Sequence, residues 1–477
     1  MVEMVYFYSP KLKQKVAFEP LVERTVRMYV CGPTVYDDAH LGHARSSIVF
    51  DLIVRILRAC GYKVTFVKNY TDIDDKILAK AKAQNVPISE ISARYIKNYE
   101  RDMSELNCQR PDLTPHATQN LPKIISFISH LLSLGAAYKN DKGDIYLSVS
   151  KDAKYGSLSG RGVDDSNIAR VAHEDKADLR DFALWKADEL GFEAPFGSGR
   201  PGWHIECSAM IDGILSYTKE ESLDFCIDIH GGGSDLAFPH HENEACQIRL
   251  KDGRELAKYW IHNEFVNING QKMSKSLNNS FFVKDALKVY DGEILRNYLL
   301  GVHYKNKLDF NEQDLLASKK RLDKIYHLKR RLNTLSLKRI KSDADDAGNA
   351  GSSECGEAFL RALSDDVNIS LALSILDEFI NNANKALDSG AKEDIFTSDL
   401  EYMCDILGLG YKDAVAYFQL GVSKEQRLDI ELQIKRRREA KAAKNYELAD
   451  NIRSDLRAQN IALLDLKDGS TIWEKID

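Results

Sequence analysis

Three short stretches combine side chains that could do chemistry. In TVYDDAHLGHAR, His40 and His43 flank a leucine and a glycine. Two imidazoles at a glycine turn leading into a helix suit a polyphosphate, because glycine lets backbone approach closely and a helix start offers unpaired N–H groups and a positive dipole end. In NGQKMSKSLNN, Lys272 and Lys275 sit among serines behind a glycine. Ammonium groups on such a loop can stabilise charge that develops on departing pyrophosphate as an α-phosphate is attacked. Each stretch taken singly also describes an ordinary solvated loop. The third, HGGGSDLAFPHHENEACQ, runs from a glycine triplet through Asp235 to adjacent histidines backed by carboxylates. It fits a phosphate or ribose site, a metal site, or a polar helix start.

These stretches need a frame. VRMYVCG, residues 26–32, reads as a buried strand. Val49, Leu52, Ile53, Ile56, Leu57 and Cys60 fall on one face of a helix predicted over residues 45–60, which Gly61 stops, and YKVTFVKN follows as a second strand. Strand, helix, strand in that length is a parallel unit of an α/β, doubly wound, Rossmann-type sheet, whose ligands sit at the carboxyl ends of its strands. PTVYDDAHLGHAR then lies at the ligand edge. An amphipathic helix with Leu121, Ile124, Ile125, Ile128, Leu131 and Leu132, followed by turns around NDKGD and SLSGRG, reads as an insertion, and strand and helix resume after RPGWHIEC and FCIDIHGGG.

Beyond residue 310 the chain reads as helical, with a stripe of Leu315, Leu322, Ile325, Leu328 and Leu332. Residues 341–356 are small and polar, a linker. SDDVNISLALSILDEFINNANKAL reads as a helix with acidic caps. The tail reads as a helical pair ending in IALLDLKDGSTIW, where Asp468-Gly469 signals a hairpin. The expected organisation is a catalytic nucleotide-binding domain over 1–117 and 200–265, an insertion over 118–199, the lysine loop and a stem-contact region over 266–312, an all-α bundle over 313–412 and a small C-terminal domain over 413–477.

Composition narrows the function. A chain of 477 residues with net charge −6 is no polycation, so any nucleic-acid contact must be a local patch. No apolar run is long enough to suggest a membrane span, and MVEMVYFYSPKLKQKV lacks the basic-then-apolar order of a secretory signal; a cytoplasmic protein is expected. The eight cysteines, Cys31, Cys60, Cys108, Cys207, Cys226, Cys246, Cys355 and Cys404, form no C-x-x-C pair and are expected to be reduced.

HLGH and KMSKS in that order resemble the signature pair of class I aminoacyl-tRNA synthetases. MYVCGPTVYD, NYTDIDDKI, RPGWHIECSAM and DIHGGGSDLAFPHHENE extend the resemblance to the cysteinyl-tRNA synthetases over nearly the whole chain. The departures are a leucine in HLGH where isoleucine is commoner and a longer LSYTKEESLDFC before DIHGGG, which reads as a surface loop. The resemblance implies one zinc ion on Cys31, Cys207, His240 and Glu244. His240 and Glu244, four residues apart, would share a face of a helix starting after Pro239. Thiolate, imidazole and carboxylate are all zinc ligands. His204, His241 and Glu242 are competing donors.

A zinc ion would explain selection of cysteine over serine, since packing differences of that size are worth only ~1 to 3 kcal/mol while metal binding ionises a thiol far more readily than an alcohol. The resemblance further implies Gly32, Thr71 and Trp203 around the amino acid and Gly231, Gly232 and Asp235 near ATP and its Mg²⁺. His40, His43 and Lys275, supported by Lys272, would stabilise the activation step. Arg436, Arg437 and Arg438 in IKRRREAKAAK form a local phosphate-binding patch, with Trp473 for base stacking on a tRNA anticodon. The expected activity is ligation of L-cysteine to tRNA(Cys) by a monomer. The alternatives are a ligase joining cysteine to a sugar amine, which should lack the basic tail, a zinc hydrolase built on HHENE, which leaves HLGH and KMSKS unexplained, and a non-catalytic tRNA-binding protein.

Overall fold

The computed structural model describes residues 4–160, 176–268, 271–272, 281–339, 353–392, 394–466 and 469–476. A hairpin, β1 (Tyr6–Ser9) and β2 (Gln14–Ala17), precedes β3 (Thr25–Val30), α1 (Leu41–Ala59) and β4 (Lys63–Lys68). Then come α2 (Asp75–Gln84), α3 (Ile88–Glu105), α4 (Leu121–Ser133), β5 (Ala137–Lys139), β6 (Ile145–Leu147), β7 (Phe182–Phe192), β8 (Gly199–Pro201) and α5 (Trp203–Met210). The sheet resumes with β9 (Phe225–Gly233), α6 (Glu242–Asp252) and β10 (Glu255–Asn263). Next are β11 (Val266–Ile268), β12 (Gln271–Lys272), α7 (Val283–Val289), α8 (Gly292–Leu300), β13 (Leu308–Phe310) and α9 (Glu312–Arg339). The rest comprises α10 (Glu354–Ser364), α11 (Ile369–Asp388), α12 (Asp394–Leu407), α13 (Ala414–Tyr417), α14 (Lys424–Ala442), α15 (Tyr446–Ala458), β14 (Ile461–Asp465) and β15 (Thr471–Lys475).

The predicted parallel unit is the centre of the molecule's main sheet. β10, β9, β3 and β4 lie in that order and all pair in parallel. Val26, Met28, Tyr29 and Val30 are all buried, as expected of a parallel strand covered on both faces. After β3 the chain goes to β4 on one side, then to β9 on the other. The crevice between the carboxyl ends of β3 and β9 is therefore a topological switch point, where such sheets bind ligands. The first helix starts at Leu41 rather than at residue 45, which turns His40 into its cap and brings His43 into its first turn.

The insertion holds more than the predicted helix and turns. Its strands form an antiparallel sheet in the order β5, β6, β7, β8, with Trp185 buried beside Ile124, Phe127, Ile128 and Leu131 of α4. The strand β7 went unread because DFALWKADELGF mixes acidic residues and a glycine into its second half. All eight cysteines are free thiols, and no helix among the described residues is long and apolar enough to cross a membrane.

The chain divides into two compact units, one running up to Ser318 and including Gly356–Ile375, the other comprising Lys319–Cys355 and the part from Leu376 onward. All five predicted stripe residues of α9 are buried. Residues 341–352 of the proposed linker lie outside the described residues, while α10 occupies the end of that stretch. The cap of α11 is Asn368, whose side chain accepts from the Leu371 amide at 3.2 Å, rather than the acidic residues before it. Asp366 instead accepts from the Tyr8 amide at 2.9 Å and the Tyr304 hydroxyl at 2.6 Å. In the second unit α14, α15 and the hairpin β14–β15 enclose their own core of Ile430, Leu456, Ile461, Leu463 and Trp473.

Candidate active site and metal centre

A cavity of about 360 Å³ opens at the switch point, lined among others by Cys31, His40, His43, Trp203, Asp235 and Asn263. Its floor at one end is the start of α1. The His40 ring folds back so that Nδ1 accepts from the amides of Gly42 (3.1 Å) and His43 (3.4 Å), and the His40 amide donates to His43 Nδ1 at 3.3 Å. The rings stack at 3.8 Å. Gly42 is required here, since a Cβ would stand 2.9 Å from the His40 ring. Both Nδ1 atoms being acceptors, the proton of each neutral ring sits on Nε2. The first amides of the helix are spent on this cap, so what its start offers the cavity is the Nε2–H of the two rings and the positive end of the helix dipole.

Arg45, one turn further, is fully buried and donates to the carbonyls of Glu264, Phe265, His303 and Asn306 at 2.6 to 3.1 Å. It ties the signature helix to the segment leaving β10. The described residues on both sides of the lysine loop also meet this region. Gln271–Lys272 pairs with β11, and beyond the loop Leu41 and Val283 exchange backbone bonds with Phe281 and Ala39. Lys275 and the side chain of Lys272 lie outside the described residues.

Cys31, just past β3, meets α5 and α6 at the other end. Cys31 Sγ lies 3.8 Å from Cys207 Sγ and 3.6 Å from Glu244 Oε1, and His240 Nε2 lies 2.9 Å from the same oxygen. The four donor atoms fall within 4.8 Å of one another, all buried. With Zn–S near ~2.3 Å and Zn–O near ~2.1 Å, tetrahedral coordination puts two sulfurs about 3.8 Å apart and a sulfur and an oxygen about 3.6 Å apart, so both sulfur distances fit a zinc ion. The His240–Glu244 pair is closer than that, in direct hydrogen bond. His240 and Glu244 share a face as predicted, although a wide turn over Ala237–His241 precedes α6.

The electrostatics prepare this cluster for a cation. The hydrogen bond from Cys31 pulls the Cys207 thiol down to about 6, while burial pushes Cys31 well up. Burial would lower His240, but Glu244 and Cys207 overcome it and raise it to about 10. Burial would raise Glu244, yet His230 and His240 hold it well below the usual carboxylate range. Cys207 is thus the thiolate and Cys31 its donor.

The competing donors sort themselves. His204 Nδ1 bonds His240 Nδ1 at 2.8 Å and is pushed down to about 3 by burial and by His240, so it accepts and orients that ring. Glu242 turns away, accepting from the amides of Leu158 and Ser159 at 3.1 and 2.9 Å. His241 bonds His262 at 2.8 Å but belongs, with His230, Cys31 and Glu244, to a second, overlapping set of four donors. His230, which the sequence reading did not single out, bonds Glu244 Oε2 at 2.7 Å and donates from Nδ1 to the Tyr29 carbonyl at 3.0 Å.

Several expected contacts have other physical reasons. A Cβ on Gly32 would lie 1.6 Å from the Asn69 carbonyl oxygen, so this glycine yields to backbone and not only to a ligand. Gly231 and Gly232 were expected beside the nucleotide, but side chains there would strike Phe50 at 2.3 Å and the His241 ring at 3.1 Å; their space is filled by protein. Gly233 and Asp235 do border the cavity. Thr71 is buried and its backbone pairs with Pro33 and Val35, bracing the loop behind Cys31. Trp203 is 43% exposed and lies over His240 at 4.4 Å, forming a wall of the cavity.

The reading missed Asn263, whose buried Oδ1 has no partner among the described residues, Lys68 at the cavity's rear, and Glu206, buried and pushed well up by that burial. Asn263 and Lys68 each end a parallel strand at the ligand edge, a signal that the strand pattern carried.

In the tail the basic run divides. Arg436 and Arg438 are exposed, but Arg437 is 3% exposed and grips Asp465 through two bonds of 2.7 and 2.9 Å. Trp473 is 2% exposed in the core of the second unit, its Nε1 donating to Glu431 at 2.7 Å, so it offers no face to a base. Both expectations fail for one reason: these side chains close a small core.

The chain matches the family model described as "tRNA synthetases class I (C) catalytic domain" over residues 17–320 and that of the "DALR domain" over residues 358–412. It is 52% identical over 481 residues to the cysteine–tRNA ligase of Wolinella succinogenes, covering 99% of this chain and 100% of the relative. With the cysteine–tRNA ligase of Helicobacter hepaticus identity is 50% over 492 residues, again 99% and 100%. Among solved structures, Mycobacterium tuberculosis methionyl-tRNA synthetase in complex with methionyl-adenylate aligns at TM-score 0.58 and 15% identity, over 83% of this chain and 91% of the other. A structure titled putative arginyl tRNA synthetase from Campylobacter jejuni aligns at TM-score 0.52 and 13% identity, over 81% and 94%. At such identities the structural likeness speaks for the fold.

Proposed function

We propose, on the premise that the chain belongs to the cysteine–tRNA ligases, a family of class I aminoacyl-tRNA synthetases, the following assignment of its residues to the family's reaction. The activity is that of the family: L-cysteine, ATP and tRNA are the substrates, and cysteinyl-adenylate precedes transfer to the terminal ribose of tRNA(Cys). The observation that carries the assignment is the meeting of Cys31, Cys207, His240 and Glu244 at one end of the cavity whose other end is the stacked pair His40 and His43. A zinc ion on those four residues would supply a soft Lewis acid for the sulfur of cysteine, which the oxygen of serine matches poorly.

The rest is positioning. Trp203 walls the amino-acid end, and the cysteine carboxylate points toward the α-phosphate held near α1. ATP enters as its Mg²⁺ complex. Nε2–H of His40 and His43 and the ammonium groups of Lys275 and Lys272 stabilise the charge that develops as pyrophosphate leaves; no protein nucleophile is needed. Asp235 and Asn263 supply acceptors to the ribose or the amino group. The exposed Lys435, Arg436 and Arg438 of α14 face tRNA phosphates. The remaining expected divisions, an insertion over 118–199, a stem-contact region over 266–312, a bundle over 313–412 and an anticodon domain over 413–477, are part of this reading, as are a monomeric state and a cytoplasmic site of action.

The sugar-amine alternative is not favoured, since the curated relatives are matched along their whole length, basic tail included. A hydrolase built on HHENE is not favoured either, because Glu242 turns away from the donor cluster, one oxygen on the amides of Leu158 and Ser159 and the other facing Arg249 at 3.5 Å. The test is cysteine-dependent ATP–pyrophosphate exchange with serine as control, then charging of tRNA, with metal content measured on the same sample. Exchange and one zinc per chain are expected; exchange that proceeds equally with serine overturns the metal's assigned role.

A further inference from the structure

Behind the first turns of α1 lies a second cavity, of about 320 Å³, which the reaction above does not use. That volume is at the lower end for ligand clefts. Its walls are Phe66, Tyr70, Tyr99, Met103 and Pro111. At its inner end stands Lys68, 7% exposed, which also borders the catalytic cavity. Lys68 Nζ donates to Ser47 Oγ at 2.8 Å and lies 5.4 Å from the centre of the Tyr99 ring.

Ser47 is saturated. Its hydroxyl donates to the His43 carbonyl at 2.9 Å, which leaves its oxygen to accept from both Lys68 and the Tyr99 hydroxyl, the latter at 2.7 Å. Two of the three ammonium protons of Lys68 therefore have no partner, and no carboxylate among the described residues pairs with it. The thiol of Cys108 nearby is pushed up to about 12 by burial and stays neutral. Burial pushes Lys68 down to about 8, which still leaves it charged at neutral pH. At the mouth Glu100 lies 3.6 Å from Arg110 and accepts from the Tyr70 hydroxyl at 3.5 Å, and both charged side chains stand exposed, where water screens them. A buried cation among neutral groups is costly until an anion joins it.

We propose that this cavity binds a small organic anion with a flat apolar body, its carboxylate on Lys68 and its body among the rings of Phe66, Tyr70 and Tyr99. Because Ser47 links that ammonium to the carbonyl of His43, an occupant alters the use of ATP at the neighbouring signature turn.

The probes are 2-naphthoate and neutral 2-naphthamide, titrated by calorimetry into the full chain with and without saturating ATP. Naphthoate should bind about tenfold tighter than naphthamide, as one charge-assisted bond allows, should bind the ATP-saturated protein as well, and should shift the KM for ATP in pyrophosphate exchange. Lys68→Met should make the two probes equal. Ser104→Trp, on the exposed rim of α3, or Ser104→Phe if the larger ring disturbs folding, should block both probes and leave exchange unchanged. Equal binding of the two probes by the unsubstituted protein overturns the proposal, as does naphthoate binding that survives both Ser104 variants or is wholly expelled by ATP.

Discussion

Two gatherings of charged side chains, around Glu244 and along α14, obey different physics. Around Glu244 the members of both donor sets are buried and polar atoms hold one another, Cys31 to Cys207, His204 to His240, His230 to Glu244, while His241 Nε2 has no partner among the described residues. Along α14 most charges stand in water, while Arg437 turns inward to Asp465, Glu431 accepts from Trp473 and Arg427 donates to Gln419. In a low-dielectric site each group fixes its neighbours' protonation, so residue type and position are both constrained. On a solvated helix only the density of charge matters to a polyanion, and a single member can be diverted to packing without loss.

The sharpest way to break this contrast is Cys207→Ala. Loss of a proposed ligand should abolish stoichiometric zinc and lower cysteine-dependent exchange on the order of 10³-fold, beyond the ~10- to 100-fold typical of groups that only orient ligands. Retention of both would make the buried cluster a structural network. His204→Ala should fall in that lower range, ~10- to 100-fold in metal affinity, read by competition with a chelator.

The pH dependence of the metal-stripped chain sharpens the contrast further. The folded value of Cys207 lies below that of a free thiol, so its contribution is complete above about 9 and is lost as pH falls through about 6. His240 lies above a free imidazole, so its contribution is complete below about 6.5 and is lost as pH rises through about 10. Urea midpoints should therefore show a plateau between about 6.5 and 9 with losses on both sides, and Cys207→Ala should remove the acid-side loss.

The smallest effects belong to α14. Arg436→Ala should leave stability unchanged and reduce the salt slope of tRNA binding by about 1, whereas Arg437→Met should cost about 1 kcal/mol of stability, read from urea midpoints, with the slope unchanged. The reverse pattern would mean that the inward turn of Arg437 is given up on binding.

What could be read from the sequence follows the same division. The βαβ frame was legible because β3, α1 and β4 carry clean apolar patterns, and the paired imidazoles because glycine and histidine at a helix start mean the same thing locally and in the fold. The sulfur pair was not legible by spacing, since 176 residues separate Cys31 from Cys207; only the family resemblance joined them. Glu242 and Glu244 are indistinguishable by type; the family resemblance chose Glu244, helix phase agreed with it, and Glu242 stayed a competitor until the fold turned it toward Leu158 and Ser159. Trp473 and Arg437 misled because at the end of a chain an aromatic or a charge looks available, and composition does not reveal that a hairpin and two helices need them to close a core. The glycine triplet carries a meaning that composition does not show: Gly231 makes room for Phe50, and Gly232 for Leu236 and His241, inside the fold.

Arg45 touches its four partners only through main-chain oxygen. Such a grip does not read the side chains of Glu264, Phe265, His303 and Asn306, only the path of their backbone, which His303 in turn braces through the Asp366 carbonyl at 2.7 Å. One guanidinium, together with the backbone bonds of Leu41 to Phe281 and of Val283 to Ala39, thereby holds the start of α1 in register with the segment that leaves β10.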